Sequence, residues 1–141
     1  MNTLTITTLA QARGLDPNVL RKLGWREDQE GVAIPWPVSS GAPAVHVRRR
    51  LEKPGDGPRW VWRNHDPATL LPYGSDRLAS MRQKHPEAIV IVESEADAVA
   101  LWSANIPALA AGGADHWQPR WWSLFQGFGQ ATLWLEDAGG L

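Results

Sequence analysis

Cysteine is absent from the 141-residue chain. That excludes disulfides, zinc-thiolate sites and thiol nucleophiles, and it fits a reducing, cytoplasmic setting. Long apolar runs are absent as well. No stretch has the 18 apolar residues that a membrane span needs, and the N-terminus MNTLTITTLAQ lacks the basic start and apolar core of a secretory signal, so neither insertion nor secretion is indicated. Tyrosine is reduced to a single residue, Tyr73, and there is no internal repeat or low-complexity tract. The length suits one modest domain or two small subdomains sharing a core.

The net charge of -1 conceals an asymmetry. Residues 1–85 carry 13 Lys or Arg against 8 Asp or Glu, a net of +5, whereas residues 86–141 carry one Arg and 7 acids, a net of -6. Such a division suits a nucleic-acid-facing part joined to a cation-binding part; chance clustering of solvated charge is the alternative. The boundary expected from it lies near Pro86. Nine tryptophans are several times ordinary usage, so some should line a groove or face a partner while others fill the core.

Residues 8–25, TLAQARGLDPNVLRKLGW, predict two short helices. Gly14 ends the first, Asp16 caps the second with Pro17 in its first turn, and Gly24 closes it. GVAIPW, AVHVRRRLE and RWVWRN follow as three short strands separated by Gly/Pro-rich turns, which predicts an antiparallel meander. The period of two sets His46, Arg48 and Arg50 on one face of the second strand and Val45, Val47, Arg49 and Leu51 on the other, with Trp60 and Trp62 opposed to Val61 and Arg63 in the third. Arginine beside tryptophan on a sheet supplies phosphate contacts and a stacking surface, the two ingredients of single-stranded nucleic acid binding. An exposed basic strand that blunts aggregation is the competing reading.

Beyond LPYG, SDRLASMRQKH predicts a helix capped by Ser75 or Asp76 and ending before Pro86. AIVIVE, IPALAAGG and QATLWLED predict strands, with a helix over EADAVALWSAN and a short one over HWQPRWWSLF. This alternation predicts a parallel α/β sheet. Function in such sheets gathers at the carboxyl ends of the strands. Glu93 stands at one such end, Asp97 lies in the first turn of the following helix, and Glu136 and Asp137 end the third strand. Converging carboxylates with no basic residue in the same segments suit a divalent cation of the Mg²⁺ type. Glu95 is expected only to favour the helix dipole.

IVIVESEADAVALW resembles the first motif of Toprim domains, an apolar strand ending in Glu with an Asp four residues later, although Ser94 stands where Gly is usual. NIPALAAGGADHW resembles the second strand and its loop, and LEDAGG the start of the motif with paired aspartates. The order GLDPNVLRKLGW, GVAIPW, VRRRLE, WVWRN and LPYG is similar to the region preceding Toprim in bacterial and phage-type DNA primases, so the resemblance covers nearly the whole chain. It implies an α+β protein in which a helical and antiparallel-strand part, residues 1–85, precedes a Rossmann-like parallel-sheet Toprim part, residues 86–141. It implies metal-dependent synthesis of RNA primers on single-stranded DNA during replication. Glu93 and Asp97 would be catalytic; Glu93, Asp97, Glu136 and Asp137 would hold Mg²⁺ or Mn²⁺. Arg48, Arg50, Arg63, Trp60 and Trp62 would contact the DNA template or the nucleoside triphosphates, and a replicative helicase, fused or separate, would be a partner. Glu136 and Asp137 are adjacent, whereas the family's acids are one residue apart, and the Toprim part is expected to be incomplete at Leu141. No Cys/His cluster supplies a zinc module, and Tyr73 sits in a turn-like context unlike a topoisomerase nucleophile. A non-catalytic nucleic-acid-binding or regulatory module is the alternative.

Overall fold

The structure, a computed structural model, describes residues 4–49, 55, 57–113 and 116–134. It is a mixed α/β fold, α+β overall, in two compact units, Met1–Leu70 and Leu71–Leu141. The division falls after Leu70, earlier than the charge asymmetry suggests.

The first unit opens with α1 (Ile6–Arg13) and α2 (Pro17–Lys22). The Thr5 hydroxyl accepts the Thr8 N–H, Gly14 turns left-handed, and the Asp16 carboxylate accepts the Asn18 N–H at 2.9 Å ahead of Pro17. These local caps satisfy backbone donors that so short a helix would otherwise leave exposed. Four antiparallel strands follow in the order β1 (Arg26–Glu27), β2 (Gly31–Trp36), β3 (Ala44–Arg49) and β4 (Trp60–Arg63).

Register pairs Ile34 with His46 and His46 with Trp62, and Val32 with Arg48 and Arg48 with Trp60. Directly opposed residues share a face, so these side chains stand together with Trp36 and Ala44. Glu27, opposite Val32, belongs to the same face and accepts the first N–H of α1, at Ile6, over 2.7 Å. Ile6, Ala10, Leu20 and Trp25 are buried, as are Val32, Ile34, Trp36 and Ala44. Their removal from water supplies about 1.5–3 kcal/mol for each large side chain. Gly31 is required where β2 meets β3, since a Cβ there would lie 2.1 Å from the Arg48 carbonyl oxygen.

The second unit holds α3 (Leu78–Lys84), β5 (Ile89–Val92), α4 (Glu95–Ser103), β6 (Ala108–Ala110) and β7 (Ala131–Trp134). Its sheet is parallel, in the order β6-β5-β7. The uninterrupted apolar run Ile89–Val92 fits a central strand covered on both sides. Ala98 and Val99 of α4 and Ala108 to Ala111 are buried with it. Tyr73 forms an antiparallel bridge with Ala110, exchanging hydrogen bonds of 2.9 and 3.0 Å, and so ties the segment before α3 into this unit. The helix expected over HWQPRWWSLF is a 3-10 helix, Pro119–Phe125, that buries Trp121 and Phe125. Trp25, Trp36 and Trp121 are core residues, whereas Trp122 and Trp134 are exposed.

Candidate nucleic-acid interface and acidic edge

The face shared by β3 and β4 carries a ladder of rings. The His46 imidazole lies between two indoles, its centroid 4.2 Å from Trp60 and 4.1 Å from Trp62, with ring planes within 19° and 18° of parallel. His65 stacks on Trp62 from beyond, at 4.7 Å and 21°. Trp36 meets His46 and Trp62 edge-on at 5.9 and 5.1 Å. Each pair adds about 0.5–1.5 kcal/mol beyond burial, so the ladder strengthens the sheet as well as shaping its surface. His46 is accordingly only 4% exposed.

This order revises the stacking surface expected from Trp60 and Trp62. Trp62 stacks on His46 and on His65 and meets Trp36 edge-on, so its ring is largely engaged within the ladder. The ends remain, at Trp60 and at His65, which is exposed.

At the Trp60 end stands Arg48, its guanidinium carbon 5.7 Å from the indole centroid and one N–H donated to the Arg49 carbonyl at 2.8 Å. Burial chiefly, and then the like charges of Arg59 and Arg13, hold its pKa below the usual arginine range. Among the described residues no carboxylate pairs with Arg48 or Arg59. A half-buried guanidinium with cationic neighbours is costly in itself, and an oxyanion is the group that would offset that cost.

Arg63 is placed differently. It lies on the other face and spans Asp28 at 2.7 Å and Glu30 at 2.6 Å, while Arg49 approaches Glu30 at 3.9 Å. Hydrogen bonds to the two carboxylates raise the Arg63 pKa, and the same bond from Arg63 chiefly lowers that of Asp28. A cavity of about 510 Å³ opens beside these residues, but its arginine is already neutralised. Arg50 lies outside the described residues. His65, Arg13 and Arg59 were not foreseen as part of this region. The strand pattern left no signal for either: alternation would set Arg59 on the face opposite Trp60, and His65 follows the left-handed Asn64, with φ 53°.

The acidic edge belongs to the second unit. Glu93 directly follows β5, half-buried, and its carbonyl accepts the Gly112 N–H at 2.8 Å, extending the ladder past the strand end. Ser94 is the N-cap of α4, its hydroxyl accepting the Asp97 N–H at 3.1 Å. Asp97 is thereby set in the first turn, exposed to solvent. Glu95 stands in the first turn of α4, where the dipole expectation puts it, but it is 1% exposed, buried beside Ala96, Ala98 and Val99, and is not without a partner.

Trp134 lies opposite Val92, so the described end of β7 runs beside the strand end that carries Glu93. Glu136 and Asp137, expected to complete the acidic set, fall outside the described residues. Among the described residues no group of three His, Asp or Glu gathers to hold a metal. Two carboxylates at a solvent-reached edge nevertheless have the hard-oxygen chemistry of Mg²⁺ or Mn²⁺, cations that fill remaining positions with water and substrate phosphate.

No family model, curated protein or solved structure matches the chain. No helix among the described residues is long and apolar enough to cross a membrane.

Proposed function

We propose that the chain is a Toprim primase-like protein, or part of one, which joins ribonucleotides into primers on single-stranded DNA with the help of Mg²⁺ or Mn²⁺. The observation that carries the reading is Glu93, a half-buried carboxylate at the carboxyl end of the central strand of a parallel sheet, with a helix beginning two residues later and β7 alongside. Glu93 and Asp97 would hold the cation. Bound there, it would supply charge neutralisation to the triphosphate and acidity to the attacking 3′-hydroxyl.

The chain's own residues account for the rest. Arg48, with Arg59 and Arg13 near it, attracts phosphate; Trp60 and His65 end the ring ladder where a base can stack. Phosphate contacts of this kind position a strand without reading its sequence, which is what primer synthesis at many template sites needs. The test is primer synthesis from labelled ribonucleotides on single-stranded DNA. Glu93→Gln should abolish product while leaving DNA binding intact; undiminished synthesis by this variant would overturn the reading.

A second reading is a non-catalytic nucleic-acid-binding module. It is favoured by the arginine and ring cluster, whose members all belong to the first unit and need nothing from the acidic edge. Salt-sensitive DNA binding without any metal-dependent synthesis by the wild-type chain would select it.

A further inference from the structure

We propose that the second unit has a separate anion site, sized for one phosphate group, at the amino edge of its parallel sheet. The residues are Arg77, Ser80 and Lys84 on the α3 side, His85 just after that helix, and Trp102 and Asn105 where α4 ends. They line a cavity of about 80 Å³. That edge is the one away from Glu93, so the inference goes beyond the function proposed above and stands or falls without it.

The chemistry of the lining identifies the ligand. It is rich in donors and contains no Asp or Glu. Among the described residues no carboxylate pairs with Arg77, Lys84 or His85, whereas Arg49 and Arg21 of the first unit each have one and Arg63 has two. Asn105, held left-handed at φ 63°, brings its amide oxygen 3.3 Å from His85 Nε2, a contact that leaves the amide N–H₂ as a further donor.

One cation is fixed in advance. The Arg77 guanidinium carbon lies 4.4 Å from the centroid of Trp102. That indole is itself held by stacking on Tyr73 at 5.6 Å and by its N–H donating to the Ala108 carbonyl at 2.8 Å. A guanidinium seated on an anchored ring loses little freedom when it binds.

The basic residues are not merely complements to helix ends. The Ala100, Leu101 and Trp102 carbonyls of α4 accept the N–H groups of Ala104, Ile106 and Asn105, and the Met81 carbonyl of α3 accepts that of His85. These four acceptors are occupied by backbone donors and need no side chain. Size excludes larger ligands: about 80 Å³ is well below the roughly 300 Å³ at which small-molecule sites begin, so a phosphate enters and a base or a whole nucleotide does not.

The ligand chemistry, a phosphate oxyanion, has two sources: free phosphate, or a phosphate within a nucleic acid strand. Calorimetric titration of the full chain with inorganic phosphate, and separately with a short thymidine oligonucleotide lacking terminal phosphate, distinguishes them. Arg77→Gln and Lys84→Gln should each weaken phosphate binding about tenfold, as loss of one charge-assisted contact does. Unchanged oligonucleotide affinity in both variants assigns the site to free phosphate; a parallel loss assigns it to a strand. Lys84 is exposed, so its variant should keep the wild-type melting temperature and report binding alone. No heat with either ligand, or identical titrations for wild type and both variants, overturns the proposal.

Discussion

Two arginines of the same small sheet should respond oppositely to the same substitution. Arg48→Gln removes a half-buried charge that burial and two neighbouring arginines disfavour, so it should leave the stability of the first unit unchanged or slightly raised. Its cost should appear in binding. Losing one charge-assisted phosphate contact, worth about 1.5–3 kcal/mol, weakens single-stranded DNA affinity roughly tenfold to a hundredfold. One phosphate contact also contributes about 0.7 to the slope of log affinity against log salt for single strands, so between about 50 and 200 mM salt the variant should lose roughly 2.5-fold less affinity than wild type does. Arg63→Gln should do the reverse. It breaks two ion pairs whose partners are 36–41% exposed, each worth about 1 kcal/mol or less, and it should lower stability slightly with no change in the salt slope. Fluorescence anisotropy of labelled oligothymidine over a salt series, paired with denaturant melts, reads both quantities. Equal salt slopes for wild type and Arg48→Gln, or a slope change for Arg63→Gln as large as that expected of Arg48→Gln, would refute the assignment of the two arginines.

The Asp28–Arg63 pair should also give an acid limb. Because Asp28 is lowered in the folded protein, its contribution is present above about pH 4 and is lost as pH falls through the lower folded value; Arg63→Gln should flatten that limb in melts between neutral pH and about pH 3. Gly74→Ala should destabilise the second unit by about 2–4 kcal/mol in denaturant titration, since φ there is 96° and a Cβ would lie 2.5 Å from the Trp102 ring.

What could be read from the sequence was what depends on near neighbours. Asp16 with Pro17 announces α2, the alternation in AVHVRR assigns faces to β3, and IVIV between turn signals gives the central parallel strand. Each of these is decided within a few residues. The burial of Glu95 was missed because α4 is apolar on most sides and its inward face cannot be found from periodicity. Arg63 was expected on phosphate because its partners, 33 and 35 residues earlier, become neighbours only after β2 and β3 pair. The stacking of His46 between Trp60 and Trp62 needs a cross-strand register, and His65 joins only through the turn at Asn64. The compact units divide after Leu70 whereas the charge changes sign near Pro86, because basic residues continue into α3, a segment that the Tyr73–Ala110 bridge ties to the second unit. The paired acids at 136 and 137 are legible as residues, but where they lie is outside what is described.

The interleaved rings of Trp60, His46, Trp62 and His65 have a dynamic consequence. An inner ring cannot tilt far without displacing the ring stacked on it, so the orientations of the four are coupled. On the function proposed above, a strand passing over them would meet a surface already ordered, with little freedom left to lose on contact. Stacking on the end of such a ladder does not distinguish one base from another, so under that proposal tolerance of sequence would follow from how the rings are shelved.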